Sequence, residues 1–411
     1  MTRIRRTLLS LGSALLVVPL LAVGQGATGT AASAARSSDN HVEAAETAVA
    51  WQRITIRTVY AEAKLAPPAG ALYLAFTSLA VHDAARWGQR LGRVAATAAV
   101  ATAAHDVLHE YFPASRPALD ADLAATLATL PSGWKAAVGG VIGGASADAM
   151  IASRVGDGRD DTSVVYAKPA APGIWQPPAT GMALAWLGFV DPVVDVPPVA
   201  LDGPDPLTSA AYASDYNEVR VVGSTTSTTR TAEQTAIATF MAPNVIPVYR
   251  DALCRYLDEE PLGLLATTRM FARIDAAVAN SFIQTWRLKY DVGFWRPFQA
   301  IVGAETDDNP GTELHPTAWV PLVANPPYAD YTSGHAAGTS PFAEVVRQTL
   351  GDDITLVLRS AGLERTYTSL SALEYDAFHA RIWGGLHFRD AMEDGYLLGH
   401  TTAARVMRVI R

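Results

Sequence analysis

The sequence predicts an all-α protein, built as two helical bundles of the four-helix type with few or no strands. Three observations predict it. Apolar residues recur at three- and four-residue spacing through most of the chain, in stretches rich in Ala, a strong helix former. Pro and Gly cut these stretches at helix-length intervals. Alternating β-branched runs are sparse, and no segment repeats another.

The elements follow in order. Residues 1–35 read as an export signal: basic MTRIRR, the apolar run LLSLGSALLVVPLLAVG, and Ala32-Ser33-Ala34 as a cleavage site. The run holds Gly and Pro and sits at the short end for spanning a bilayer, so cleavage and secretion are expected. Arg5-Arg6 fits a twin-arginine signal. Residues 36–160 form an N-terminal helical part. It starts with a polar, Ala-rich linker over 36–50 and a helical pattern from Val49 to Trp87, broken at Pro67-Pro68. Ala-rich helices follow over 94–111, 117–130 and 134–154. Residues 161–230 are Pro-rich and read as an irregular connection with a short helix near 207–220. Residues 231–411 form the C-terminal bundle, opened by a capping box, Thr231-Ala-Glu-Gln234. The spacing predicts helices over 231–241, 246–257, 261–288, 293–303, 335–350, 352–361, 371–380 and 387–410, with a loop rich in Pro and acid over 305–331.

Composition narrows the function. Hydrophobic residues make up 49% and charged residues 18%, which excludes a disordered chain. The net charge is -8, and loss of the signal, with three Arg and no acid, takes it to -11. So acidic a protein is a poor partner for nucleic acid. Beyond the signal no run of 18 apolar residues occurs, so no integral membrane segment is expected. One Cys, Cys254, excludes an intrachain disulfide framework and a multi-Cys metal site. Nothing in the sequence sets the oligomeric state, and a homodimer stays open.

Three clusters in the last third carry chemistry. The first is Lys289-Tyr-Asp-Val-Gly-Phe-Trp-Arg296-Pro297. Seven residues make two helical turns less about 20°, so Lys289 and Arg296 can reach one point from a helix. Apolar neighbours argue against a solvated face, and two converging cations describe an oxyanion receptor. The second is Ser333-Gly334-His335 before a helix, which offers an N-cap, a close backbone approach and free N–H groups. The third is Arg381-Ile-Trp-Gly-Gly-Leu-His387, where Gly384-Gly385 predicts a break before the last helix. Together they suit a tetrahedral oxyanion whose central atom bonds an imidazole nitrogen, with a second His for proton transfer.

Lys-x6-Arg-Pro, Ser-Gly-His and Arg-x5-His in this order resemble the signature of the vanadium-dependent haloperoxidase and type 2 phosphatidic acid phosphatase superfamily. Other stretches resemble its bacterial secreted haloperoxidases: Ala80-Val-His-Asp-Ala, Gly173-Ile-Trp-Gln-Pro-Pro, Ser227-Thr-Thr-Arg-Thr-Ala-Glu-Gln-Thr and Phe294-Trp-Arg-Pro. The resemblance covers roughly 45–410 and implies two four-helix bundles with the site in the second. It implies vanadate as cofactor, phosphate as an occupant of the apo site, and hydrogen peroxide with a halide or small organic molecule as substrates. By the same resemblance, Lys289, Arg296 and Arg381 bind the equatorial oxygens, with Ser333 and the Gly334 N–H. His387 bonds vanadium and His335 is the acid–base residue. Trp286 matches an aromatic lining the site, and Tyr328 stands where halide choice is influenced.

The chain departs from the pattern at three places. Thr332 replaces the usual Pro, Ala380 the usual Ser, and Ala391 the Asp usually found four residues after the second His. Asp390 and Asp394 lie nearby, and the partner that orients His387 is left unassigned. Two enzymes use such a receptor. A haloperoxidase oxidises bromide or chloride with peroxide to hypohalous acid, and a secreted acid phosphatase works through a phosphohistidine. The whole-chain resemblance, Trp286 and the exported form favour the first.

The remaining residues read as structural. Asp157, Asp160 and Asp161 fit a solvated loop, as do Asp307 and Asp308. His82, His105 and His109 fit packing or surface positions on Ala-rich helices, and His315 fits a loop before the second cluster.

Overall fold

Small side chains let helices approach closely, and the first helices use this to pack. The protein is described by a computed structural model over residues 44–312 and 318–411. The export signal and His315 lie outside the described residues. Helix α1 occupies 44–56 and ends in a π-helical turn, Arg57–Glu62. The expected linker over 36–50 is therefore already helix from 44, because Ala44, Ala45, Ala48 and Trp51 bury one face. Then come α2 (Pro67–Gly88), α3 (Arg93–Tyr111), α4 (Arg116–Ala128) and α5 (Trp134–Ser153). Pro67 and Pro68 open α2, where a missing N–H costs nothing. By length and composition α5 could cross a membrane, and here it packs along α3 and α2.

The Pro-rich stretch has no α-helix before α6 (Ala210–Val222). It is held instead by two amide side chains of the long helix α9 (Leu264–Asp291). Asn280 accepts from Val193 N–H at 2.8 Å and donates to Val194 O at 2.7 Å. Gln284 accepts from Val199 N–H at 2.9 Å and donates to Val199 O at 2.6 Å. An extended strap without a sheet partner thus has its buried backbone groups satisfied.

Helices α7 (Ala232–Phe240), α8 (Val245–Glu259), α10 (Pro297–Val302) and α11 (Gly334–Leu350) follow, then α12 (Leu370–Trp383) and α13 (Arg389–Val409). The capping box at Thr231 and Gln234 is formed. α9 packs against α2 on one side and α11 and α13 on the other, so it belongs to both helix groups. A buried ion pair, Arg250–Asp275, joined by Ser78, ties α8, α9 and α2.

Two expected helices are corrected. Residues 352–361 form no helix: β1 (Leu356–Ser360) pairs antiparallel with β2 (Leu363–Tyr367). Leu356, Leu358 and Ser360 are buried in alternation, and Ala361 and Gly362 both take positive φ, the turn such a hairpin needs. The helix expected over 293–303 is shortened to α10. Among the presumed solvated acids, Asp157 is only 4% exposed and pairs with Arg154 and Arg159. Asp307 is buried too, accepting from Asn309 N–H and Thr312.

Candidate active site

The end of α9 and the start of α10 supply the first cations. Lys289 and Arg296 do not share a helix as the spacing suggested. α9 stops at Asp291, and Gly293 takes φ +64, a left-handed turn that glycine adopts freely. Arg296 then becomes the N-cap of α10. Backbone bonds from Trp175 N–H to Gly293 O and from Trp295 N–H to Gly173 O hold the turn. Lys289 and Arg296 meet nonetheless, Lys289 Nζ and Arg296 Cζ each lying 5.1 Å from the Tyr328 ring centroid. Trp286 stands 4.9 Å from that ring and donates to Ala183 O at 3.1 Å.

The start of α11 forms the second wall. Ser333 is its N-cap, accepting from Ala336 N–H, and its own N–H donates to Ala391 O at 2.9 Å. The Trp286 indole packs against the helix start at Gly334, where a Cβ would lie 3.4 Å from the ring. His335 follows, its ring facing the Met241 and Pro243 carbonyls, while its Nε2 is buried without a hydrogen-bond partner.

The third wall is the break between α12 and α13. Arg381 lies in the last turn of α12, and Leu386 N–H donates back to Arg381 O at 3.0 Å. Gly385 takes φ +75, and a Cβ there would lie 2.5 Å from Gly223 O, so a side chain is excluded. This turn points His387 inward. Neither Asp390 nor Asp394 is its partner. Asp394 accepts from Tyr331, and Asp390 N–H donates to Asp215. Instead, His387 Nδ1 lies 2.7 Å from Asp330 Oδ1, an ion-pair distance without hydrogen-bond alignment. The Phe388 N–H is among the groups that act on the Asp330 carboxyl.

Sequence reasoning missed Asp330. The available signal was an acid five residues before His335. All nine predicted residues are brought together: His387 is acted on by Arg296, Lys289, Arg381 and His335, and Trp286 and Tyr328 flank the cations.

The electrostatics are those of an anion receptor. Lys289 and Arg296 are fully buried and Arg381 is 3% exposed. Asp330 is the carboxylate that acts on Lys289 and Arg296, and the charges that act on Arg381 are those of Tyr328, Arg296 and Tyr249. Burial holds the Lys289 ammonium well below its ordinary pKa, helped by Arg296 and Arg381 and opposed by Asp330. Burial takes Arg381 down to about 10. It also depresses both imidazoles strongly, with the neighbouring cations adding to it, so His335 and His387 are neutral at pH 7. Burial lifts Asp330 to about 7, against the pull of Arg296 and Lys289.

Donor counting agrees. Lys289 gives two protons to Ala329 O and Asp330 O at 2.7 and 2.8 Å and keeps one. Arg296 bonds Tyr328 O, Leu386 O and Ala329 O and keeps two of its five N–H groups. Arg381 Nε and Nη1 are buried with no partner. Unused donors beside an unprotonated imidazole fit a tetrahedral oxyanion such as vanadate or phosphate.

Residues 269–411 match the family model described as the VCPO second helical-bundle domain, a stretch that holds all nine predicted site residues. Three solved structures are similar to the chain. A bacterial vanadium-dependent iodoperoxidase is 19% identical over 88% of this chain and 95% of its own, with a TM-score of 0.65. A holo-type bacterial vanadium-dependent chloroperoxidase is 15% identical over 84% and 93%, TM-score 0.66. An apo-type one is 16% identical over 84% and 94%, TM-score 0.67. No curated protein matches the sequence. A buried anion receptor at the meeting of α9, α11 and the α12–α13 turn thus lies in the stretch that matches the VCPO second helical-bundle domain, on a chain similar in fold to bacterial vanadium-dependent haloperoxidases.

Proposed function

We propose that the protein is a vanadate-dependent haloperoxidase that oxidises halide with hydrogen peroxide to hypohalous acid. The observation that carries the reading is the buried Arg381 with unpaired Nε and Nη1 beside a neutral His387. Such groups are costly to bury unless a ligand uses them.

Lys289, Arg296, Arg381, Ser333 and the Gly334 N–H would hold the oxygens of vanadate, and the unprotonated ring nitrogen of His387 would bond its centre. When bound, vanadate supplies a Lewis acid that polarises peroxide without changing its own redox state. Asp330 keeps the His387 proton on Nδ1, which leaves the Nε2 lone pair for the ligand. His335, with a buried and unpaired Nε2, takes and returns the proton of the incoming peroxide. Trp286 and Tyr328 wall the cations and keep bulk water from them, which strengthens their pull on an anion. The neighbouring structures are an iodoperoxidase and chloroperoxidases, so this fold serves more than one halide. Export through residues 1–35 completes the reading and is checked by N-terminal sequencing of protein recovered outside the cell.

The deciding experiment uses one apo sample. Orthovanadate is added, and peroxide-dependent oxidation of iodide, bromide and chloride is measured beside hydrolysis of an activated phosphate ester. Halide oxidation that appears only with vanadate, together with suppressed hydrolysis, supports the proposal. Ester hydrolysis inhibited by vanadate with no halide oxidised turns the reading to an acid phosphatase. Neither activity, with no vanadate uptake, defeats both.

A further inference from the structure

α3 and α4 meet at a cluster that the proposed reaction does not use. His105 and His109 lie one turn apart on α3, and Asp120 faces them from α4. His105 Nε2 is 2.9 Å from Asp120 Oδ1, and His109 Nε2 is 3.7 Å from the same oxygen. The three ligand atoms lie within 4.8 Å of one another. In a tetrahedral zinc site with bonds of about 2.0–2.1 Å, ligand atoms stand roughly 3.3 Å apart. The cluster is near that spacing with no ion to draw it in.

The back of the cluster is arranged as well. His105 Nδ1 lies 2.7 Å from Asp106 Oδ1. With an ion bound, that carboxylate would hold the ring proton on Nδ1 and leave the Nε2 lone pair for the metal. A carboxylate behind an imidazole is the usual support of a metal-bound histidine. The Trp51 ring meets the His105 ring edge-on at 6.5 Å. The side chains of His105, His109 and Asp120 are 10%, 35% and 60% exposed, so one ligand is locked and the others face an entry path.

A cation belongs here. Two carboxylates face the His105 ring, Asp106 at one nitrogen and Asp120 at the other. A proton on His105 would answer those two carboxylates but give His109 no role. Its ring centroid is 5.1 Å from that of His105, and two charged rings at that distance repel. A divalent ion uses both rings neutral and the carboxylate charged. Two imidazoles and a carboxylate are zinc-type donors.

We propose that His105, His109 and Asp120 form a zinc site, supported from behind His105 by Asp106, with a fourth position open to water. It clamps α3 to α4 across the Pro113–Ser115 turn, apart from the chemistry at His387.

The test uses untagged protein stripped with a chelator and titrated with ZnCl2 by calorimetry at pH 7.5. One zinc per chain is expected, and Co2+ in its place should give the intense visible bands of a tetrahedral site. His109→Ala and Asp120→Asn alter partly exposed side chains and should each weaken zinc at least tenfold. Asp106→Asn should weaken it about tenfold through the lost support. Circular dichroism confirms that the variants are folded. If a variant unfolds, the parent protein's stoichiometry and cobalt spectrum still decide. No stoichiometric uptake, an octahedral cobalt spectrum, or unchanged affinity in folded His109→Ala and Asp120→Asn overturns the proposal.

Discussion

Asp330 Oδ1 stands 2.7 Å from His387 Nδ1, although Asp330 lies beside the second motif and His387 closes the third. Position 391, where the superfamily resemblance calls for an Asp, is Ala. The carboxylate is thus delivered from the loop before α11. Asp330→Asn keeps the shape but can present an amide N–H to the ring and favour the wrong tautomer. Vanadate affinity of the apo protein, measured by titration, should fall about 10- to 100-fold. Adding Ala391→Asp to Asp330→Asn should recover part of it. An unchanged affinity in the single variant would remove Asp330 from the site.

Arg381 should trade stability for binding. Its Nε and Nη1 are buried and unpaired, which costs about 1–3 kcal/mol in the apo protein. Arg381→Met keeps most of the apolar stem, so the apo melting temperature should rise. Oxyanion affinity should drop by one to two orders of magnitude, the equivalent of about 1.5–3 kcal/mol for charge-assisted hydrogen bonds. A lower melting temperature with unchanged vanadate affinity would contradict this account.

The two histidines should separate by readout. His387→Ala removes the one ring nitrogen offered to the ligand's centre, so vanadate retention and halide oxidation should both be lost. His335→Ala leaves the oxygen contacts in place. It should retain vanadate while slowing turnover by about 10²–10⁴, the usual range for a lost acid–base group. Retention measured by dialysis, beside steady-state rates, checks both.

Asp390 sets a pH dependence. Burial, with Asp394, Asp205 and Asp215 nearby, lifts its pKa to about 8, far above the unfolded value of about 3.9. Between these limits the folded state holds a proton that the unfolded state releases, so this carboxyl destabilises increasingly as pH rises from 4 to 8. Asp390→Asn should leave the melting temperature near the parent's at pH 4 and raise it at pH 8. The N–H that Asp390 donates to Asp215 belongs to the backbone and is retained. An equal shift at both pH values would contradict the assignment.

Local order was legible in the sequence wherever it is encoded within a turn or two. Ala-rich periodicity marked α2 to α5, Thr231 with Gln234 marked the start of α7, and Ser333 the start of α11. The ordered trio of motifs marked seven of the nine residues that converge, and the wider resemblance added Trp286 and Tyr328; Ser333 as cap and the Gly384-Gly385 break were legible, while the Gly293 turn between Lys289 and Arg296 was not. The hairpin at 356–367 was not legible, since its alternation is too short to outweigh a helical reading of the same apolar residues. Pairings across long stretches of sequence were settled only by the tertiary structure. Asp330 reaches His387 because the Gly385 turn, closed on Gly223, folds the chain back toward the loop before α11. Asp120 meets His105 because the Pro113–Ser115 turn lays α4 against α3. Spacing along a chain specifies which face of one element a residue occupies. Which face meets it depends on the path of the chain between them, and that path is chosen by burial of the whole core.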